Sequence, residues 1–557
     1  MIVLGLAGGL RHDASAALVV DGQLVSLAEE ERFIRSRHAH EKVPVEATAY
    51  CLAAAGITLS DVDVIATSWL ADASADVQLD MVGGLLEHPY FAGAHPPRVE
   101  QVAHPIAHAA AAYHTSGFDE ATVISTDGVG DRIATMIAHG RGGSIEVKRH
   151  WPISESLGMF YLGLTRYLGF NWGQEGKVMG LASYGVPDDD WMPFTLHDDG
   201  GYHTGLSPLG EDRPNYGRPL VRAWSARVQQ RYGDPRPPQF RYDPDGARLQ
   251  PFVDTGDAQR FVAASGQRAL ERALLHIVEH AVRETGCRDV VLGGGVGLNC
   301  TANGVIAQSP FVDRLVVFPA SGDGGTSAGA ALAVAAAAGE RSGRALTSAG
   351  LGPEFTDEQI RAALDARGVP YTVVDDIADT VAELITDGQV VGWFQGRAEF
   401  GPRALGQRSI LASPLQRSMH HRVNAIKYRE QWRPLAPSMS AAAAEKYLLN
   451  PGPSRFMLSA CQVREEMRDE IPAVVHVDGS CRPQVLDDDA PGPYRRLLER
   501  LATRGHPEVV MNTSFNLANE PIVHSPHDAL RSFYGSGLDA LAIGSMLVHK
   551  PVGHDAG

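Results

Sequence analysis

The chain has 557 residues, of which 44% are hydrophobic and 21% charged; this is ordinary globular usage, sufficient for roughly three to four units of about 150 residues, and it excludes a wholly disordered chain. With 66 acidic against 49 basic residues the formal charge is −17, which disfavours bulk nucleic-acid binding while permitting local basic clusters for small anions. Five cysteines (51, 287, 300, 461 and 481) without a C-x-x-C pattern predict reduced thiols, a cytoplasmic location and no structural zinc; the opening MIVLGLAGGLRHD predicts no signal peptide, and the Ala-rich stretch at 328–339 is too short to cross a membrane.

In chain order, IVLGL, SAALVV and QLVSLA read as three strands, the last two joined by an Asp21-Gly22 hairpin turn. A helix over 45–55 and a strand VDVIATSW follow. A second cycle opens with the strands ATVISTDG, RIATMIAHG and SIEVKRH, continues through helices near 156–168 and 257–285, and closes with the strands RDVVLGGGV and RLVVFP and an Ala-rich helix. Two cycles of this form predict a duplicated α/β unit. Residues 186–255, rich in Pro, Gly, Asp and Arg, read as an insertion. GERSGRALTSAGLGPEF is the best linker, so domains are expected at 1–345 and 350–557. The second opens with a helix DEQIRAALDARG, a strand PYTVVD, a helix IADTVAELITDG and a strand QVVGWF.

The first chemical constellation lies in QVAHPIAHAAAAYH. His104 and His108 fall on nearly one face of a helix whose first turn accommodates Pro105. A pair at this spacing also arises from core packing, so it gains meaning only with further ligands. Asp127 in STDGVGD and Asp323 in FPASGDGGTSAG each follow a strand beside glycines, where turn chemistry and ligand binding both place aspartate. Two His and two carboxylates favour iron, manganese or zinc over magnesium. His12, next to Asp13 in the first loop, has the makings of an oriented general base. LGGGVGLNCTANG runs from a strand into a helix, and its glycines allow a nucleotide or phosphate to approach backbone N–H groups.

HDASAAL, HPIAHAAAAYH, STDGVGD, EGKVMGLASYG, LGGGVGLNCTANG and FPASGDGGTSAGAAL occur in this order. Together they resemble the N-terminal domain of the O-carbamoyltransferases of nodulation and antibiotic biosynthesis, which is similar to the threonylcarbamoyl-transfer protein of tRNA modification. The resemblance implies a duplicated actin-like (ASKHA) fold. It also implies ligation of a divalent metal, iron, by His104, His108, Asp127 and Asp323, and a base role for His12 at the acceptor hydroxyl. Within these segments Gly128, Lys177, Gly294, Gly295 and Asn299 are the candidate nucleotide contacts of the N-terminal domain.

The second constellation is basic. GRAEFGPRALGQRSI carries Arg397, Arg403 and Arg408, and NAIKYREQWRPLAPSM adds Lys427, Arg429 and Arg433. Guanidinium forks grip phosphate oxygens in pairs and lysine acts as a point charge. In MNTSFNLANEPIV, Asn512, Ser514 and Asn516 alternate and on an extended segment share one face; Arg482 in GSCRPQVL is a further cation. GPRALGQRS, the K-x-R-E-x-W-R-P run and NTSFN with EPIV resemble the YrdC-like domain of the same carbamoyltransferases. That likeness implies that Arg403, Lys427, Arg429, Arg433, Arg482, Asn512, Ser514 and Asn516 bind carbamoyl phosphate and ATP, with Mg2+ accompanying the nucleotide and with Arg403 and Lys427 acting in catalysis.

The expected activity is therefore ATP-dependent carbamoyl transfer. Carbamoyl adenylate would form in the C-terminal domain, and its carbamoyl group would pass to a hydroxyl of a small natural product, of antibiotic type, in the N-terminal domain. No nucleic acid or membrane partner is expected, and a homodimer is the default assembly. The alternatives are a sugar-kinase-like phosphotransferase, a tRNA threonylcarbamoylation protein and a silent nucleotide-binding module. ADP as product, salt-dependent RNA binding and ligand binding without turnover would mark each in turn.

Overall fold

The structure is a computed structural model that describes residues 1–9, 12–70, 80–95, 97–206, 217–234, 255–341, 343–452, 454–487, 490 and 492–550. Arg11 of the first motif, residues 207–216 and 235–254 of the expected insertion, and residues 488, 489 and 491 of the acidic segment 486–492 lie outside the described residues. The chain divides into two compact units. Unit 1 comprises Met1–Glu30, His38–Leu346 and Leu458–Ala460; unit 2 comprises Glu31–Arg37, Thr347–Met457 and Cys461–Gly557.

Unit 1 is built from one strand arrangement used twice. β1 (Ile2–Ala7), β2 (Ser15–Val20) and β3 (Gln23–Glu29) form an antiparallel meander. After α1 (Val45–Ala54), β4 (Val64–Thr67) and β5 (Arg98–Gln101) add in parallel on the other side of β1, giving the order β3-β2-β1-β4-β5. α2 (His104–His114) then leads to a second meander of β6 (Glu120–Thr126), β7 (Ile133–Arg141) and β8 (Ser144–Pro152). β9 (Asp289–Gly293) and β10 (Arg314–Val317) join β6 in parallel, and the order β8-β7-β6-β9-β10 repeats the first sheet strand for strand. This repetition is the duplicated actin-like arrangement that the resemblance implies.

The strand sequences explain their placement. β1 and β6 are flanked on both edges and are buried almost throughout; the apolar run of β1 and the small, β-branched residues of β6 fit a sheet covered on both faces. The outermost β8 has no fully buried residue and carries Glu146, Lys148 and Arg149, as suits a sheet edge. The helix after each terminal strand, α2 after β5 and α3 (Thr326–Ala337) after β10, packs on its counterpart. Gly329 makes that approach possible: a Cβ there would lie 1.7 Å from the Ala107 carbonyl oxygen. Within the expected insertion, the helix Gly217–Tyr232 belongs to the core of unit 1, its Trp224 fully buried with ring centroids 5.0 Å from Phe160 and 5.6 Å from Phe194. Its apolar residues, spaced Leu220, Trp224 and Val228, form a buried face, so this part of the expected insertion packs as a helix of unit 1.

Unit 2 holds one mixed sheet of eight strands. In chain order these are β11 (Thr372–Val373), β12 (Val391–Phe394), β13 (Arg408–Ala412), β14 (Ala436–Ser440), β15 (Gln484–Leu486), β16 (Val509–Ser514), β17 (Ala540–Ile543) and β18 (Met546–His549). Their order in the sheet is β11-β18-β17-β12-β13-β16-β14-β15. Helices Ile377–Thr386 and Pro493–Thr503 pack together, burying Val381, Ile385, Leu497 and Leu501 in a cluster that includes Trp393 of β12. Among the described residues no helix is long and apolar enough to cross a membrane.

Candidate functional site

The duplicated topology brings four loops of unit 1 to one place. His12 and Asp13 follow β1, and Asp127 follows β6, the equivalent strand of the second half. His104 opens the helix after β5, and Asp323 lies in the loop between β10 and the equivalent helix. One ligand atom from each of His104, His108, Asp127 and Asp323 lies within 4.8 Å of all the others. The two Nε2 atoms are 2.9 Å apart; His104 Nε2 stands 3.4 Å from Asp127 and 3.6 Å from Asp323, and His108 Nε2 stands 3.8 and 3.7 Å from the same carboxylates.

This donor set fits a divalent cation. The imidazoles are buried, and His104 Nδ1 faces the Ser68 carbonyl at 3.3 Å. A proton held there leaves the Nε2 lone pair facing the carboxylates, the tautomer that a metal-binding histidine needs. Trp69 stacks on the His104 ring at 3.8 Å, and Asp131 accepts the His104 backbone N–H at 2.5 Å and that of Leu70 at 3.3 Å. Asp127 is fixed by the Gly295 N–H at 2.8 Å. The electrostatics point the same way. Burial opposes charge on His104, but Asp323 and Asp127 outweigh it and raise its pKa to about 10. Burial likewise opposes ionisation of Asp127, and His104 and His108 hold it well below the usual carboxylate range. Buried groups of this kind ask for a fixed positive charge in their midst.

His12 lies at the edge of this set. Its Nδ1 is 3.0 Å from Asp13 Oδ2 and 3.8 Å from Asp323 Oδ2, while Asp13 Oδ1 is 2.7 Å from His38 Nδ1. Asp13 takes a left-handed backbone, φ 53°, and its N–H donates to the His38 carbonyl at 2.7 Å, so the two loops lock together. Burial lowers the His12 pKa, but Asp13, Asp323 and Asp127 together raise it to about 9. Positive charge placed against the aspartates removes part of that rise and frees His12 to accept a proton near neutrality.

The candidate nucleotide contacts of unit 1 are less uniform. Gly294, φ 89°, sits so close to the Thr126 carbonyl oxygen that a Cβ would come within 2.1 Å of it. The Gly295 N–H, expected to face a phosphate, faces Asp127 instead. The Gly128 carbonyl accepts from Ser156 Oγ at 2.8 Å. Asn299 exchanges two 3.0 Å hydrogen bonds with Gln267 and caps the following helix through Ala302 N–H, so its amide is engaged in structure. Lys177 is buried, with its ammonium 5.5 Å from the Phe170 ring.

In unit 2, Lys427, Arg429, Arg433 and Arg482 converge. Lys427 is buried and its Nζ donates to Asn516 Oδ1 at 2.9 Å, the Asn516 carbonyl at 3.0 Å, Ser514 Oγ at 3.3 Å and the Ser514 carbonyl. All these acceptors are neutral. Burial, then Arg429 and Arg433, holds its pKa well below the lysine range. Arg429 donates from Nε to Asn424 Oδ1 at 2.5 Å, while its buried Nη2 lacks a hydrogen-bond partner, as does Nε of Arg482. Burial first, then Arg433 and Arg482, pushes Arg429 well below its ordinary value. Arg433 reaches Glu430 at 3.6 Å and also feels Arg37.

Three expectations change here. Arg397 and Arg408 are not part of this cluster: Arg397 donates to the carbonyls of Leu351 and Gly352, and the fully buried Arg408 donates to those of Gln395, Gly396, Gln407 and Pro353 with its guanidinium 3.6 Å above the Phe394 ring. They hold the glycine-rich loop together, and Arg403 is the remaining cation of that segment. Asn512, Ser514 and Asn516 do not share one strand face, because β16 ends at Ser514. Asn512 is buried against Ala404, Ser438 and Gln484, whereas Ser514 and Asn516 bond each other at 2.6 Å beside Lys427. The residues that sequence reading misses are His38, Asp131, Ser68, Trp69, Trp172 and Arg37. Each is an isolated residue of ordinary type in a loop, and only Asp131 lay inside a noted motif, STDGVGD.

Two family models match: the carbamoyltransferase N-terminus over residues 2–91, 85–207 and 244–332, and the carbamoyltransferase C-terminus over 382–550. The chain belongs to the carbamoyltransferase family. Nodulation protein NolNO of Sinorhizobium fredii is 36% identical to it over 99% of this chain and 83% of its own length. Nodulation protein NolO of Bradyrhizobium diazoefficiens is 37% identical over 80% of this carbamoyltransferase and 78% of its own length. Among solved structures, full-length HypF in its phosphate- and nucleotide-bound form overlaps 60% of this chain and 55% of its own at 12% identity, with a TM-score of 0.34. The N-terminal model skips residues 208–243 of this carbamoyltransferase, a narrower departure than the 186–255 read from composition.

Proposed function

We propose that this carbamoyltransferase works in two stages, with ATP as the activating co-substrate. Carbamoyl phosphate loses phosphate to water, and the carbamate formed attacks the α-phosphorus of Mg2+-bound ATP; pyrophosphate leaves and carbamoyl adenylate remains. The hydroxyl of a small natural product, of antibiotic type, then attacks the carbamoyl carbon and AMP leaves. The observation that carries the first stage is the buried set of Lys427, Arg429, Arg433 and Arg482, with a donor on Arg429 and one on Arg482 unused. Burying like charges together is costly unless an anion joins them, and triphosphate and carbamoyl phosphate are such anions. Arg403, Ser514 and Asn516 complete that site, and Asn512 supports it from below.

The second stage is proposed for unit 1. His104, His108, Asp127 and Asp323 would hold the divalent cation, iron by resemblance, and a cation there would supply Lewis acidity toward an oxygen of the carbamoyl donor. Asp13, itself held by His38, orients the His12 ring through Nδ1 and leaves Nε2 to take the proton of the acceptor hydroxyl. Gly128, Lys177, Gly294 and Gly295 would form the nucleotide side of this site, where Lys177 would meet the phosphate of the adenylate; Asn299 acts through the fold. Enclosing the transfer keeps a hydrolysable carbamoyl group from water. His12→Ala should release pyrophosphate from ATP and carbamoyl phosphate at the wild-type rate and lose carbamoylation of the acceptor by about 100-fold or more. Undiminished acceptor carbamoylation by this variant would sink the base role.

A further inference from the structure

Trp172 has no part in the two-stage reading, yet it stands beside the proposed base. It lies in the turn after the helix Leu157–Tyr167 and remains 37% exposed. Its ring centroid is 5.1 Å from that of His12, 4.6 Å from His38 and 5.5 Å from His40. The interplanar angles are 63°, 57° and 51°, so none of the three imidazoles covers the indole face to face. Gly173 sets the approach: with φ 75°, it comes so close that a Cβ would lie 3.0 Å from His38 Nε2. The indole is thus anchored by tilted contacts on three sides and kept partly in water, at a cost in unburied apolar surface.

The geometry points to Trp172 as a specificity-determining residue: a platform that selects acceptors whose hydroxyl is carried on a compact ring with an apolar C–H face, over open-chain alcohols. A rigid indole offers a large flat area with little entropy left to lose. A ring arrives already ordered, whereas a flexible chain must freeze its torsions to lie on that area. This inference rests on His12 being the base, since that is what brings the acceptor hydroxyl here.

The test compares two polyols of equal carbon count, cyclic myo-inositol and open-chain mannitol, by saturation-transfer NMR on the full chain. The wild type should bind myo-inositol about 10-fold more tightly than mannitol, a difference typical of one aromatic platform. Trp172→Ala should abolish the preference, Trp172→Phe should restore it to within about 3-fold, and His12→Ala should leave it intact. No ring preference in the wild type, or the same preference in Trp172→Ala, overturns the platform. If the preference behaves as expected while His12→Ala still carbamoylates, the platform stands and the base assignment falls.

Discussion

At the scale of the residue, Lys427 shows how a buried amine is held chiefly by neutral acceptors, with Glu520 the opposite charge acting on it. Its ammonium is wrapped by the carbonyl and side-chain oxygens of Ser514 and Asn516, which solvate it as water would but do not neutralise it. The positive potential of Arg429 and Arg433 acts on the same amine and lowers its pKa further; in the proposed first stage an incoming anion would meet it. Removing Lys427 takes away both a point charge and the group that fixes the loop after β16. Lys427→Ala is expected to lower pyrophosphate release from ATP and carbamoyl phosphate by about 100- to 1000-fold, read by a coupled pyrophosphate assay. Release within a factor of a few of wild type would remove Lys427 from the first stage. These two segments stood out in the sequence because K-x-R and S-x-N match the pattern of the YrdC-like domain that the chain resembles, and the structure brings Lys427, Ser514 and Asn516 into contact. The fates of Arg397 and Arg408 were not legible there, since an arginine that binds phosphate and one that ties carbonyls of its own loop look alike in sequence.

At the scale of the element, α1 illustrates a device that no local pattern announces. Its first turn has Pro44 at the N-cap, with no side chain to accept from the exposed N–H groups. Glu30, just after β3, supplies the acceptor: its carboxyl takes the Ala47 N–H at 2.8 Å and the Glu46 N–H at 3.3 Å. Burial outweighs these bonds and raises its pKa from 4.5 to about 7. A carboxyl with a raised native pKa binds its proton more tightly when folded. That contribution is fully present below the unfolded value of 4.5 and is lost as pH rises through 7. The shift corresponds to stability on the order of 3 kcal/mol lost across this window. Glu30→Gln keeps an acceptor without the charge, so it should unfold at a higher temperature than wild type at pH 8 and show little difference at pH 5. Thermal unfolding by circular dichroism checks this, and an equal effect at both pH values would refute it. The helix itself was predictable from its apolar spacing; its cap comes from a strand 15 residues upstream in sequence.

At the scale of the molecule, the proposed metal set draws on three segments spread from residue 104 to residue 323: His104 and His108 on one helix of the first copy of the repeated unit, and Asp127 and Asp323 in two loops of the second. A cation bound there ties the two sheets of unit 1 together and stabilises the folded state by mass action. Stripping purified protein with a chelator should lower the melting temperature and suppress carbamoyl transfer by about 100-fold, with pyrophosphate release retained. Readdition of Fe2+ should restore both, and His108→Ala should behave as the stripped protein does and show no bound metal by elemental analysis. A chelated protein with unchanged melting temperature and transfer would argue that the four residues are a buried polar network only.

The sequence by itself determined the two cycles of strands and helices, the family, and most of the residues that carry charge or could bind metal, because those depend on local spacing and on motifs in order. Only the tertiary structure decided which of them meet. Asp127 and Asp323 lie nearly 200 residues apart and become neighbours through the matching 3-2-1-4-5 strand orders. Which arginines bond their own backbone and which gather around Lys427, and the placing of His38 and Trp172 beside His12, likewise depend on contacts between distant segments. Spacing within one segment holds no information about them.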